Sequence, residues 1–128
     1  CTDVSGFGLA GHLLEILEAS NVGAELNPEL LPALPGALEA AQAGVRSTMF
    51  PKNESAAANI DGAETIRGRP QYDLLFDPQT SGGLIASVPE ARAESVITAL
   101  RAAGYSRAII IARVTGTSPR RLRLVGVG

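Results

Sequence analysis

Cysteine occurs once in this 128-residue chain, at Cys1, so no internal disulfide can form. That agrees with a reducing compartment and leads to a cytoplasmic assignment. Histidine also occurs once, and with no second His and no Cys beside His12, a zinc-type site has too few ligands. No apolar stretch approaches the ~20 residues of a membrane span, and no secretory signal is visible, so no membrane partner is expected. Positive charge is not in excess. Eleven Lys and Arg against thirteen Asp and Glu give a net charge of −2, which excludes nucleic acid as the main partner. No initiator Met stands at the first position, which reads as a piece of a longer chain or a cleaved product. Internal repeats and low-complexity tracts are absent. What is present is 45% hydrophobic content, enough for one domain over residues 1–128 that buries about two-thirds of its unfolded surface.

The spacing of apolar residues predicts an α+β domain. Leu9, Leu13, Ile16 and Leu17 recur as one face of a helix over Gly8–Ala19. Val22, Ala24 and Leu26 alternate as a strand over 22–27. A short helix over Ala37–Ala43 ends at Gly44. Residues 45–70 are polar, lack a clear period and hold Pro51, Asp61-Gly62 and Gly68-Arg69-Pro70. They read as a long excursion with one helical turn near Ser55–Asn59, the most mobile or irregular part of the chain. A strand over 84–88 follows. Pro89 then opens a helix whose apolar face is Ala93, Val96, Ile97, Leu100 and Ala103, with Gly104 as its cap. Residues 108–114 are apolar enough for a strand central in the sheet. After a turn at 115–119, Leu122 and Leu124 alternate with Arg121 and Arg123, as in an edge strand over 121–125 with one wet face. The cluster Arg120, Arg121 and Arg123 reads as charge guarding that edge. The expected architecture is a mixed, largely antiparallel sheet of about four strands with packed helices.

Two segments carry the chemistry. Residues 2–12 read Thr-Asp-Val-Ser-Gly-Phe-Gly-Leu-Ala-Gly-His, placing Asp3, the hydroxyls of Thr2 and Ser5, and the glycines Gly6, Gly8 and Gly11 at the start of the first helix. Backbone N–H groups there attract oxyanions, and glycine lets a ligand approach the backbone. A carboxylate beside a phosphate site commonly shares a divalent cation with it. On local chemistry alone the favoured reading is that Asp3 or Ser5 is an ordinary helix cap. Residues 77–84 read Asp-Pro-Gln-Thr-Ser-Gly-Gly-Leu. Asp77-Pro78 starts a turn, and Thr80, Ser81, Gly82 and Gly83 offer hydroxyls and unhindered N–H groups, the ingredients of an anion-binding nest. A plain turn leading into a strand uses the same residues. His12 reads as a packed or helix-surface residue bonded to Glu15, three positions on.

Together the two segments resemble the selenide, water dikinase (selenophosphate synthetase) family, whose motifs are Thr-Asp-Val-Thr-Gly-Phe-Gly with a following Gly-His, and Asp-Pro-Gln-Thr-Ser-Gly-Gly. Ser5 stands where Thr is usual, and the hydroxyl survives. The resemblance covers essentially the whole chain but only the C-terminal half of such an enzyme. It implies the C-terminal domain fold of the aminoimidazole-ribonucleotide-synthetase-like superfamily. It also implies transfer of phosphate from ATP to selenide with Mg²⁺ required, giving selenophosphate, AMP and orthophosphate. In the family this domain adds a metal-ligating Asp, which is Asp3 here. Thr2, Ser5, Gly6, Gly8, Thr80, Ser81, Gly82 and Gly83 would border the cleft or the phosphates. ATP and selenide would be engaged through an N-terminal domain that also holds the reactive Cys or selenocysteine, so Cys1 does not inherit that role. The full-length protein would be a homodimer, and the fragment alone would fold without turning over or holding Mg²⁺ tightly. Two alternatives stand beside this reading. One is another ATP-dependent synthetase or kinase of the superfamily, and the other is a non-catalytic packing module of a fusion protein.

Overall fold

The computed structural model describes residues 1–117 and 121–127. The chain opens with a two-residue strand β1 (Thr2–Asp3) and then helix α1 (Gly8–Ala19), with the bounds the periodicity predicts. Leu9, Ala10, Leu13 and Leu17 form its buried face. Strand β2 (Gly23–Leu26) follows, and after a 3₁₀ turn at Pro28–Leu30 comes helix α2 (Ala37–Gln42). Gly44 then takes a φ of 78°, the left-handed conformation that ends a helix cheaply when the residue is glycine.

The stretch 45–70 is not an irregular excursion. It forms helix α3 (Phe50–Glu54), a 3₁₀ helix at Ser55–Asn59 where one helical turn was expected, strand β3 (Ile60–Asp61) and a second 3₁₀ turn at Ala63–Ile66. Phe50, Asn53, Ile60, Ala63 and Ile66 are buried. The helix type changes every few residues, so the buried positions share no single period, and that hid the segment's role in the core. Helix α4 (Pro70–Phe76) has Pro at its first position, where the missing N–H costs nothing. It packs on α1 and α2. Tyr72, Leu75 and Phe76 are at most 1% exposed and meet Leu17, Leu26, Ile60, Ile66 and Leu122 in one core. The Phe76 ring stands edge-on to Phe50 at 6.2 Å and to Tyr72 at 4.8 Å. Such aromatic pairs add about 0.5–1.5 kcal/mol beyond their buried area.

The later elements are strand β4 (Leu84–Ile85), helix α5 (Ala93–Ala102), strand β5 (Ala112–Thr115) and strand β6 (Leu122–Leu124). The helix expected after Pro89 is present as a 3₁₀ turn at Glu90–Arg92 running into α5. Gly104 follows it at a φ of 101°. The main sheet has four strands in the order β3-β6-β2-β5, and β1 pairs with β4 separately. The α+β class and the mixed sheet are as predicted. The antiparallel share is smaller than predicted, since β2 pairs antiparallel with β5 but β6 runs parallel to both β2 and β3.

Three strand expectations are corrected. Only two residues of 84–88 are strand, because the partner β1 ends where the chain turns into α1. The apolar run 108–114 contributes only from Ala112 onward and pairs with β2 alone among the described residues, with Val114 53% exposed. Apolarity marked it as buried on both faces, but its outer face has no cover. Conversely, β6 is interior, although 121–125 read as an edge. Side-chain alternation reports a wet face and says nothing of which backbone edges are paired. Leu122 and Leu124 are buried, while Arg123 lies on the wet face within 3.9 Å of both Glu25 and Asp61, its register partners on the two neighbouring strands. Arg123 therefore ties three strands together rather than guarding an edge. Arg121 donates to Asn21 Oδ1 at 3.0 Å, and Arg120, with part of the expected turn, lies outside the described residues. No helix among the described residues is long and apolar enough to cross a membrane.

Candidate functional site

The two motif segments, far apart in sequence, meet through backbone pairing. Thr2 faces Ile85 and Asp3 faces Leu84 across β1 and β4. The Val4 N–H donates to Gly83 O at 2.8 Å, and the Gln79 N–H donates to Ser5 O at 3.0 Å. Two glycines permit this approach. A Cβ on Gly82 would stand 2.3 Å from Val4 O, and one on Gly8 would stand 3.0 Å from the Phe76 carbonyl carbon and 3.1 Å from Asp77 O. Gly8 also has a φ of 76°, a conformation that side chains rarely adopt. Ser81 takes a positive φ of 54° without being glycine, so the 77–83 turn holds a conformation that is costly for that residue.

The cap reading of the first motif does not hold. Phe7 occupies the N-cap of α1 with no side-chain cap bond, and Asp3 lies in β1 with its carboxylate exposed and unpaired among the described residues. Ser5 serves the turn through its carbonyl, which accepts from the Gly8 N–H at 3.1 Å. His12 does not pair with Glu15. It is 8% exposed, and its Nε2 accepts the Ser5 N–H at 3.1 Å while also lying 3.1 Å from Ser5 Oγ. An accepting Nε2 requires the proton of the neutral ring on Nδ1. The Phe7 ring packs beside the imidazole at 5.5 Å. The packed role expected for His12 is right, and the partner is different. Helical spacing could point only along the helix, whereas the actual partner lies back in the turn.

Thr80, Ser81 and Gly83 are exposed and Gly82 half-buried on the facing turn. Backbone pairing thus brings the segment of Asp3 and Ser5 beside the turn of Thr80 and Ser81, at the junction of β1, β4 and the start of α1. Beneath it lie residues that sequence reasoning missed. Asn53, 6% exposed, donates from Nδ2 to Gly6 O at 2.8 Å and to Phe76 O at 3.0 Å. Asp73, 4% exposed, receives both Arg46 Nε and Nη2 at 2.9 Å, a bidentate pair. The bond and charge of Asp73 hold the Arg46 guanidinium above its ordinary range, and that group also lies 4.9 Å over the Phe50 ring. Burial, and then the nearby Asp73 charge, push the Asp77 carboxyl above the usual carboxylate range.

Among the described residues no three His, Cys, Asp or Glu converge on a point that could hold a metal ion. Two surface cavities, of about 370 and 170 Å³, are lined by other residues and touch neither motif. Among the described residues the junction carries the exposed Asp3, the half-buried Asp77 and the hydroxyl residues Ser5, Thr80 and Ser81.

Comparison with known proteins identifies the family. Residues 1–124 match the family described as AIR synthase related protein, C-terminal domain, and the chain belongs to that family. Within it, the match is to selenophosphate synthetases. The chain is 39% identical over 114 residues to a selenide, water dikinase of Clostridioides difficile, covering 88% of this chain and 32% of that protein. It is 36% identical over 115 residues to one of Pelobacter propionicus, covering 89% and 33%. It is 38% identical over 119 residues to one of Dechloromonas aromatica, covering 92% and 34%. The chain therefore spans about a third of the length of the curated relatives it matches.

Proposed function

We propose that the chain serves as the C-terminal domain of a selenide, water dikinase, which converts selenide, ATP and water to selenophosphate, AMP and orthophosphate. The observation that supports this reading is the β1–β4 pairing, which brings the strand carrying the exposed Asp3 alongside the strand that follows the Thr80–Gly83 turn. An all-oxygen donor set suits Mg²⁺, which commonly takes one or two carboxylates and completes its shell with phosphates and water. Asp3 would supply one ligand, and the donors here fit the ion only as part of a site shared with the rest of the enzyme. When bound, Mg²⁺ neutralises charge on the phosphates during transfer.

The chain's own residues hold and orient. Asp3 presents a negative charge to the cation. Ser5, fixed through its N–H and hydroxyl by His12, keeps the turn after Asp3 in one shape. The hydroxyls of Thr80 and Ser81 and the N–H groups of Gly82 and Gly83 are the groups that would be offered to phosphate oxygens. In the full-length enzyme Asp3→Asn keeps the shape and removes the charge. It is expected to abolish selenophosphate formation, followed by ³¹P NMR, while the unfolding midpoint stays unchanged. Asp3→Ala should also leave stability unchanged, because Asp3 caps nothing. Full activity in Asp3→Asn would end the metal assignment.

A further inference from the structure

We propose that Asn53 is a positioning residue that sets the relative placement of the two motif segments. A side-chain amide has two N–H donors, and the structure gives Nδ2 one carbonyl from each segment: Gly6 O in the first and Phe76 O at the threshold of the second. These partners lie 47 and 23 positions away in sequence, so the bonds are tertiary and serve no local turn. The amide is buried and sits on α3, which carries Phe50 into the same core. The β1–β4 ladder is only two residues long, with Val4–Gly83 and Ser5–Gln79 as its extensions. So short a ladder leaves the segments free to splay or slide unless something behind it holds them. Asn53 does so from the buried side, leaving the outer face with Asp3, Thr80 and Ser81 open. Asn53 touches no reacting group. It acts through Gly6 and Phe76, whose neighbours Ser5 and Asp77 lead directly into the exposed surface.

This inference rests on the proposed reading of the site. The test uses the full-length enzyme together with the chain alone. Asn53→Asp replaces the donors with an acceptor that faces two carbonyls, and Asn53→Ala removes them. Both should lower kcat for selenophosphate formation about tenfold or more, as expected when reacting groups shift by about 1 Å. Ile66→Val, a buried change in the core that removes no hydrogen bond to either segment, serves as the stability control and should leave kcat within about twofold. In the chain alone, Asn53→Ala should shift the ¹H–¹⁵N signals of both Val4–Gly8 and Asp77–Gly83. The proposal is overturned if a folded Asn53→Ala enzyme keeps wild-type kcat, if its loss merely follows the fraction unfolded as in Ile66→Val, or if the shifts stay within α3. Should both variants fail to fold, Asn53→Gln, which keeps the amide on a longer stem, decides by the same kcat reading. A wild-type enzyme that makes no selenophosphate refutes the functional reading instead, and the spectral shifts then decide the role of Asn53.

Discussion

Gly6 and Gly8 stand two residues apart in one motif, yet the structure gives them opposite costs of substitution. At Gly8 the φ of 76° is worth about 1–2 kcal/mol to any residue with a Cβ. The added methyl would also lie 3.0–3.1 Å from backbone atoms of Phe76 and Asp77, which cannot rotate away. Overpacking of that kind costs about 1–3 kcal/mol. Against this, alanine restricts the unfolded chain and returns about 0.4–1 kcal/mol. The net loss for Gly8→Ala is therefore about 1–4.6 kcal/mol, set against the 5–15 kcal/mol typical of a domain. With an unfolding entropy of about 2.1 cal/mol/K per residue, each kcal/mol lowers the midpoint by about 4 °C in a chain of this length, so a drop of about 4–17 °C is expected. Gly6 has a negative φ and nothing within 4 Å of an added Cβ. Gly6→Ala should fall within about 0.5 kcal/mol of wild type. Thermal and urea unfolding followed by far-UV circular dichroism reads both. If Gly8→Ala matches wild type, or Gly6→Ala loses as much as Gly8→Ala, the first motif does not press against the end of α4 as described.

Ile60→Ala should cost about 2–5 kcal/mol, because the 45–70 segment is core. Hydrogen exchange should show the Ile60 amide as protected as that of Leu26, and fast exchange would refute it. Burial and the bond to Glu54 push the Tyr72 hydroxyl up to about 12. The folded state then binds more protons than the unfolded one between about pH 10 and 12. Stability is full below pH 10 and falls as pH rises through that window; Tyr72→Phe should flatten this slope in the urea midpoint. Asp77, held above its ordinary range, contributes stability only while protonated and loses it as pH rises through its folded value. Asp77→Asn should therefore raise the urea midpoint at neutral pH and lose that advantage in acid, and a lower midpoint at pH 7 would contradict it.

Much of this was legible from periodicity where one face of one element is buried. α1 keeps a helical stripe because it lies whole against the core, so its bounds and buried leucines follow from spacing. The same rule missed α3, β3 and the turns between them, where the chain changes geometry too often for a stripe to develop. It also misplaced β5 and β6, because edge or interior position is a property of backbone pairing. At the site, glycines and hydroxyls marked both motifs, and the structure brings them together. Asn53 and the Arg46–Asp73 pair left no local signal, since their partners come from other elements. The Ser5–His12 bond joins a turn to a helix, which helical spacing does not describe.

The order β3-β6-β2-β5 has a consequence for how the chain reaches its fold. β6 forms only from residues 122–124, yet it fills the slot between β2 and β3 and is parallel to both. Until that segment joins, β2 and β3 have no bridge, and the pairing of Ala24 with Leu122 closes a loop of about three-quarters of the chain. Closure of that kind is charged in entropy before any contact repays it, and parallel, non-local pairing slows folding towards the ms–s range. In a refolding chain the hydrogen bonds within α1 and within α4 are local and should form early, and the sheet should be completed in a slower step. During synthesis the same topology leaves one side of β2 unpaired until residues 122–124 have emerged.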